Sequence, residues 1–262
     1  MFSWIYDVPS LLAIVLFGAG FVLIFWLGIL ILHPFIRKLL PPEPGLNATL
    51  TMYLQYFGII YGLLLGLLAV GAYQNHAETR RAVVGEAASL AALYRDISEY
   101  PEPYRTDFRN LVREYARFTI EDAWPKQRKG LMPELGGPNP VAGIYKRMAQ
   151  FEPSTEGQDA IHQTALKQFN SFIEARRARL YRVSSGMPRV MWYTVALGAL
   201  VNMIFLWLFD LRVSTHLLLG GLVSFFTATM IYLIAILDTP FRGEIGVSPE
   251  ALQLVYQQMK YD

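Results

Sequence analysis

The chain contains no cysteine. Disulfide frameworks, cysteine-ligated zinc, iron–sulfur clusters and cysteine nucleophiles are therefore excluded. Charge is also scarce. Asp, Glu, Lys and Arg make up 17% of the residues, against about a quarter in an ordinary soluble domain. Net charge is only +2, too small for a nucleic-acid footprint, and no nucleic-acid partner is expected. What is abundant is apolar. Hydrophobic residues are 53% and aromatic residues 14% of the chain, and mean hydropathy is +0.30. That excludes disorder and is too apolar for one aqueous domain.

The missing charges are concentrated in four stretches: Val8 to Ile36, Pro44 to Ala77, Val190 to Phe209 and Val213 to Leu237. At about 1.5 Å rise per residue, some 20 residues cross the roughly 30 Å hydrocarbon layer. An unpaired peptide group in lipid costs several kcal/mol, so each stretch is expected as a helix. The first lacks a basic start and is too long for a signal-peptide core, so it reads as retained.

The charge that exists sits mainly between spans two and three. Residues 74–188 hold 17 of the 23 basic and 14 of the 21 acidic residues. The predicted organisation is all-α. Residues 1–73 carry two transmembrane helices (about 10–33 and 50–73). Residues 74–188 form a cytoplasmic helical bundle. Residues 189–238 carry two more spans (about 190–209 and 214–237), and 239–262 are a cytoplasmic tail with a short helix. Ten basic residues, among them Arg80, Arg81, Arg176 and Arg242, flank the ends that share a side with both termini; only Arg37, Lys38 and Arg212 flank the other. The positive-inside rule then places both termini and the long connection in the cytoplasm.

Within the insertion, nothing breaks the helical pattern between span two and Glu99, so one long helix is expected, stopped by Pro101 and Pro103. Tyr104 to Trp124 reads as a second helix ended by Pro125, and 125–139 as a Gly/Pro loop. A short helix from Val141 to Phe151 follows. Thr155 and Gln158 resemble a capping box for a long helix to about Ser184. Each helix offers a thin apolar face, so the bundle should lean on its neighbours. Ser248 and Pro249 open a tail helix with an apolar set Leu252, Val255, Tyr256 and Met259, to dock on the bundle or on a second subunit.

Span two is the most informative segment. Gly58, Gly62 and Gly66 recur every fourth residue, Ala69 and Tyr73 continue the line, and Gln55 precedes it. Such a stripe either lets a neighbouring helix approach closely or borders a water-filled conduit. Leu63, Leu64, Leu67 and Leu68 could supply an apolar constriction that gates by dewetting. His76, Arg80, Arg81 and Asp238 are candidates for the inner mouth. For Asp238 the alternative is a turn before Thr239-Pro240, bonded to local backbone or paired with an Arg. For Arg80, Arg81, Arg176, Arg177, Arg179 and Arg182 it is attraction to lipid headgroups. Enzyme chemistry is not expected. The four histidines lack metal-ligand spacing, no phosphate-cradling loop follows a strand, and no Gly-x-Ser-x-Gly elbow occurs. No catalytic residue, metal site or cofactor is assigned.

The stretch Tyr61-Gly62-Leu63-Leu64-Leu65-Gly66, followed by Arg80-Arg81-Ala82-Val83-Val84-Gly85-Glu86-Ala87-Ala88-Ser89-Leu90, resembles a bacterial family described as bestrophin-like. Pro188-Arg189-Val190-Met191-Trp192 and Asp238-Thr239-Pro240-Phe241-Arg242-Gly243 extend the resemblance over about residues 10 to 255. It implies a homopentamer with cytoplasmic termini, a helical region between spans two and three, and a central pore for small anions lined by span two. Two features depart from that pattern. Span two has Gly and Leu where bestrophins carry aromatic gate residues, and only Asp238 and Glu244 lie where animal bestrophins have an acidic calcium clasp. The leading functional expectation is a homo-oligomeric ion channel in contact with membrane lipids and conducting small anions. The alternative is a non-conducting scaffold or sensor whose cytoplasmic helices bind a partner. A transporter is disfavoured, since no span shows a Pro-broken half-helix pair.

Overall fold

The computed structural model describes residues 3–39, 43–131, 140–183 and 185–261. Among the described residues all regular structure is helical. Four helices are long and apolar enough to cross a membrane. The chain divides into two compact units.

The first unit comprises residues 1–75, 186–238 and 243–245. It contains α1 (Ser10–Ile31), α2 (His33–Leu39) and the first part of α3 (Leu46–Ile97). Two later spans complete it. Pro188 stands at the N-cap of the third membrane helix (Arg189–Leu208), and the fourth runs from Val213 to Asp238. The first and fourth spans pair most extensively. The core between the helices holds Phe17, Tyr61, Leu65, Val195, Ile231 and Tyr232. A second cluster holds Phe25, Ile29, Met203, Leu206 and Trp207. Glycine makes this packing possible. A Cβ on Gly198 would lie 2.2 Å from the Tyr61 ring, on Gly28 2.2 Å from Trp207, on Gly220 2.1 Å from Phe25, and on Gly18 2.4 Å from Phe225. Each glycine is a socket for an aromatic side chain of another span.

Helix α3 has 52 residues and is unbroken. At about 1.5 Å per residue it is roughly 80 Å long, more than twice the hydrocarbon thickness.

The second unit comprises residues 76–185, 239–242 and 246–262. The rest of α3 leads to α4 (Tyr104–Phe118), a π-helical turn over Thr119–Ala123, and α5 (Trp124–Arg128). Then come α6 (Pro140–Ala149) and α7 (Glu156–Val183). With the third and fourth spans numbered α8 and α9, the tail helix is α10 (Glu250–Tyr261). Thr155 Oγ1 accepts the Gln158 N–H at 3.2 Å, and Gln158 Oε1 reaches back to the Ser154 N–H at 2.8 Å, one residue before a standard capping box. Of the expected loop 125–139, residues 125–128 are helical, and 132–139 lie outside the described residues.

Two expectations are corrected here. Pro125 does not end its helix; α5 continues to Arg128. The π-helical turn makes this possible. The Trp124 N–H bonds to the Thr119 carbonyl five residues back, which resets the ladder before the proline ring can clash. Nor is the apolar face thin. One core joins Leu90, Leu93 and Ile97 of α3 with Phe108 and Val112 of α4, Ile144 and Met148 of α6, Phe169 and Phe172 of α7, and Leu252 and Met259 of α10. The tail helix docks within this same unit. Tyr94 Oη and Arg113 Nε both donate to the Met259 carbonyl, at 3.3 and 2.7 Å.

Candidate functional site

Helix α3 turns Tyr61, Leu65 and Ala72 into the core of the first unit. The glycine stripe lies about a quarter-turn away, since successive residues step by about 100°. Gln55, Gly58, Gly62 and Tyr73 are exposed, while Gly66 and Ala69 are half-buried. A Cβ added at Gly58, Gly62 or Gly66 would meet nothing within 4 Å. These glycines thus differ from the four aromatic sockets. Among the described residues, no other helix fills their face. Further round, Met52, Tyr56, Ile59, Leu63, Leu67 and Val70 are also exposed. Of the four leucines considered for a constriction, Leu64 and Leu68 pack against the core of their own chain; only Leu63 and Leu67 remain open.

The inner-mouth candidates fall into two environments. His76, Arg80 and Arg81 follow span two on α3; His76 is half-buried and both arginines are exposed. Close by, Arg182 pairs with Glu78 at 2.7 Å. Asp238, in the first unit, is buried. One carboxylate oxygen accepts the Met187 N–H at 2.7 Å and the other accepts the Trp192 Nε1–H at 3.2 Å. The carboxylate at the end of α9 therefore sits at the N-terminus of α8, where peptide dipoles favour negative charge. Its partners are 51 and 46 residues away in sequence, and neither is an arginine.

Arg179 corrects the reading of the basic cluster before span three. Its side chain is buried rather than open to lipid headgroups; its exposure is 1%. Its Nε and Nη2 bind the Glu86 carboxylate, itself fully buried. Its Nη1 donates to Gln127 Oε1 at 2.6 Å. The Tyr115 hydroxyl donates to Oε1, the oxygen that also accepts from Arg179 Nη2. Trp124 closes the network, with the guanidinium carbon 5.4 Å from its ring. Burial, the largest single influence, would lower the Arg179 pKa; the Glu86 carboxylate and Tyr115 together outweigh it and hold the guanidinium above its ordinary value. Burial, then the charge of Glu86, pushes the Tyr115 phenol well up. A signal for this pair was present. Glu86 shares a face with Val83 and Leu90, and Arg179 lies seven residues after Phe172, so each apolar face carries one charge of opposite sign.

Among the described residues no group of three His, Asp or Glu side chains could hold a metal ion.

The arrangement is that of an all-helical membrane protein whose second span is open along one face. The bestrophin-like domain family matches residues 19–252, and the chain belongs to that family. The bacterial bestrophin homolog from Klebsiella pneumoniae superposes with a TM-score of 0.66 at 14% identity, covering 92% of this chain and 96% of that one. A single-substitution form of that homolog gives 0.64 at 13% identity, covering 95% and 99%. A further crystal structure, of a membrane protein, gives 0.69 at 15% identity, covering 94% and 97%. At these identities the likeness shows the fold alone. No curated protein matches the chain.

Proposed function

We propose that the protein is a homo-oligomeric ion channel of the bacterial inner membrane, selective for small anions, with α3 closest to the central axis. The observation that carries this reading is the open glycine stripe. A Cβ at Gly58, Gly62 or Gly66 would have no neighbour within 4 Å, while the face of the same helix a quarter-turn away is buried. Side-chain-free positions at helical spacing widen whatever they border. In a ring of subunits the stripe, with Gln55, Ala69 and Tyr73, borders the conduit, and Leu63 and Leu67 supply its apolar narrowing. Arg80 and Arg81, both exposed, attract the permeant anion at the inner end. Both termini and residues 74–188 are cytoplasmic, by the basic residues at the span ends. Membership of the bestrophin-like family supports the same reading.

The test is halide flux from liposomes holding the purified protein. Flux is expected in the unaltered protein and is expected to be blocked or changed in selectivity by Gly62→Leu, with the subunit count preserved. Loss of the oligomer in Gly62→Leu would make the stripe a packing surface between subunits. Absence of flux for anions and cations alike would favour the scaffold reading.

A further inference from the structure

We propose that the second unit contains a binding site for a small oxyanion, in the cavity bounded by Gln127, Gly130, Val183, Thr239, Phe241 and Arg242. The cavity has a volume of about 230 Å³. It is independent of the stripe on α3 and of whether the protein conducts.

Two polar groups on its wall, the Gln127 amide and the Thr239 hydroxyl, lack an acceptor. Gln127 is fully buried. Its Oε1 accepts from Arg179 Nη1 at 2.6 Å. A guanidinium has donors only, so the amide cannot be turned round. Its NH2 group is thereby fixed as the free end, and Nε2 meets no acceptor in the protein. Thr239 Oγ1 is buried and equally without a hydrogen-bond partner. Buried amides and hydroxyls are nearly always paired, so two orphans on one cavity wall point to a missing acceptor.

Arg242 supplies the charge. A Cβ on Gly130 would stand 3.1 Å from its Nη2, 3.2 Å from Nε and 3.3 Å from the guanidinium carbon, so the flat face of the group lies over that residue. Gly130 has φ +72°, a conformation side chains rarely adopt, which keeps this surface bare. Nη2 donates to the Lys129 carbonyl at 2.7 Å, which holds the plane in position. None of the described residues lining the cavity is acidic. The buried Glu86 carboxylate, joined to Gln127 through Arg179, is neutralised by that arginine.

An amide NH2 and a hydroxyl without acceptors, beside a guanidinium, suit a ligand that accepts hydrogen bonds. A planar guanidinium with an amide and a hydroxyl beside it fits oxygen atoms held apart by a central atom, as in a carboxylate or phosphate. The volume exceeds a halide and suits such an ion with part of its water. Thr239 and Arg242 belong to the segment that follows α9, so occupancy would tie this segment to α5 through Gln127.

The experiment is thermal unfolding of the full-length protein in detergent, titrated with inorganic phosphate and, separately, acetate. Sodium chloride holds ionic strength constant. A saturable rise in the unfolding midpoint is expected with at least one of the two. Thr239→Val, nearly isosteric, should weaken the apparent affinity about 3- to 10-fold, and Arg242→Gln by about 10-fold or more. If Arg242→Gln does not fold, Thr239→Val carries the test. The proposal is overturned if neither anion gives a saturable rise, if chloride alone reproduces it, or if the folded variants respond as the unaltered protein does.

Discussion

Glu86 of α3 and Arg179 of α7, 93 residues apart, form a two-pronged ion pair with no exposure to solvent. Removing one partner leaves a buried charge without an answer, at a cost of about 3–5 kcal/mol. Arg179→Met and Glu86→Gln are each expected to lower the thermal midpoint strongly in detergent. The double variant should lose less than the sum of the two. Additive losses would show that the pair is not coupled.

That pair also marks what the sequence conceals. The four spans are legible because lipid imposes one rule on every residue in them, and a charge-free run of sufficient length has no other solution. The proline stop after α3 and the Thr155–Gln158 cap of α7 are local, so they too can be read. Arg179 is different. Beside Arg176, Arg177 and Arg182 it looks like one more basic residue near a membrane. Only the fold brings it to Glu86. The spacing of Glu86 with Val83 and Leu90 puts a charge on an apolar face, but it does not say which cation answers it. Pro125 misled because its helix passes through a π-helical turn, which shifts the hydrogen-bond ladder by one residue just before the ring. For the candidate stripe, the spacing of Gly58, Gly62 and Gly66 could not say which glycines of the chain are filled. The aromatic sockets at Gly18, Gly28, Gly198 and Gly220 had to be seen.

The sockets and the stripe predict opposite responses to one methyl group. Gly198→Ala drives a Cβ into the Tyr61 ring and should cost about 1–3 kcal/mol. Gly62→Ala meets open space within its own chain. It should leave the protomer as stable or raise it by up to about 1 kcal/mol, since Ala is the better helix former. Thermal midpoints of the two variants in detergent make the comparison.

Asp238 holds the start of α8 by accepting from Met187 and Trp192. Asp238→Ala should destabilise by about 0.5–2 kcal/mol, as the loss of a capping side chain does. Asp238→Asn keeps an acceptor and should recover much of this. Equal losses in the two variants, read from thermal midpoints, would mean that charge rather than hydrogen bonding holds the contact.

His162 gives the second unit an acid sensitivity. Its Nδ1 lies 2.7 Å from the Tyr100 hydroxyl. Burial lowers its pKa below the usual 6.5, while Asp159 opposes the shift. A lowered folded-state pKa means the unfolded chain takes the proton more readily. The stabilising contribution is therefore present above about pH 6.5 and is lost as the pH falls through the folded-state value. Acidification from about pH 7 to about pH 5 should lower the unfolding midpoint more in the unaltered protein than in His162→Gln. Parallel pH curves would exclude this residue as the cause.

Because the chain has no cysteine of its own, the stripe can be probed by a single thiol. Halide efflux from liposomes containing the Gly62→Cys variant, measured before and after reaction with a negatively charged methanethiosulfonate, tests most directly whether α3 borders an anion conduit. Efflux should be present before the reaction and fall sharply once the charge is attached. Efflux that is unchanged after complete modification would contradict the placement of this stripe on the permeation path.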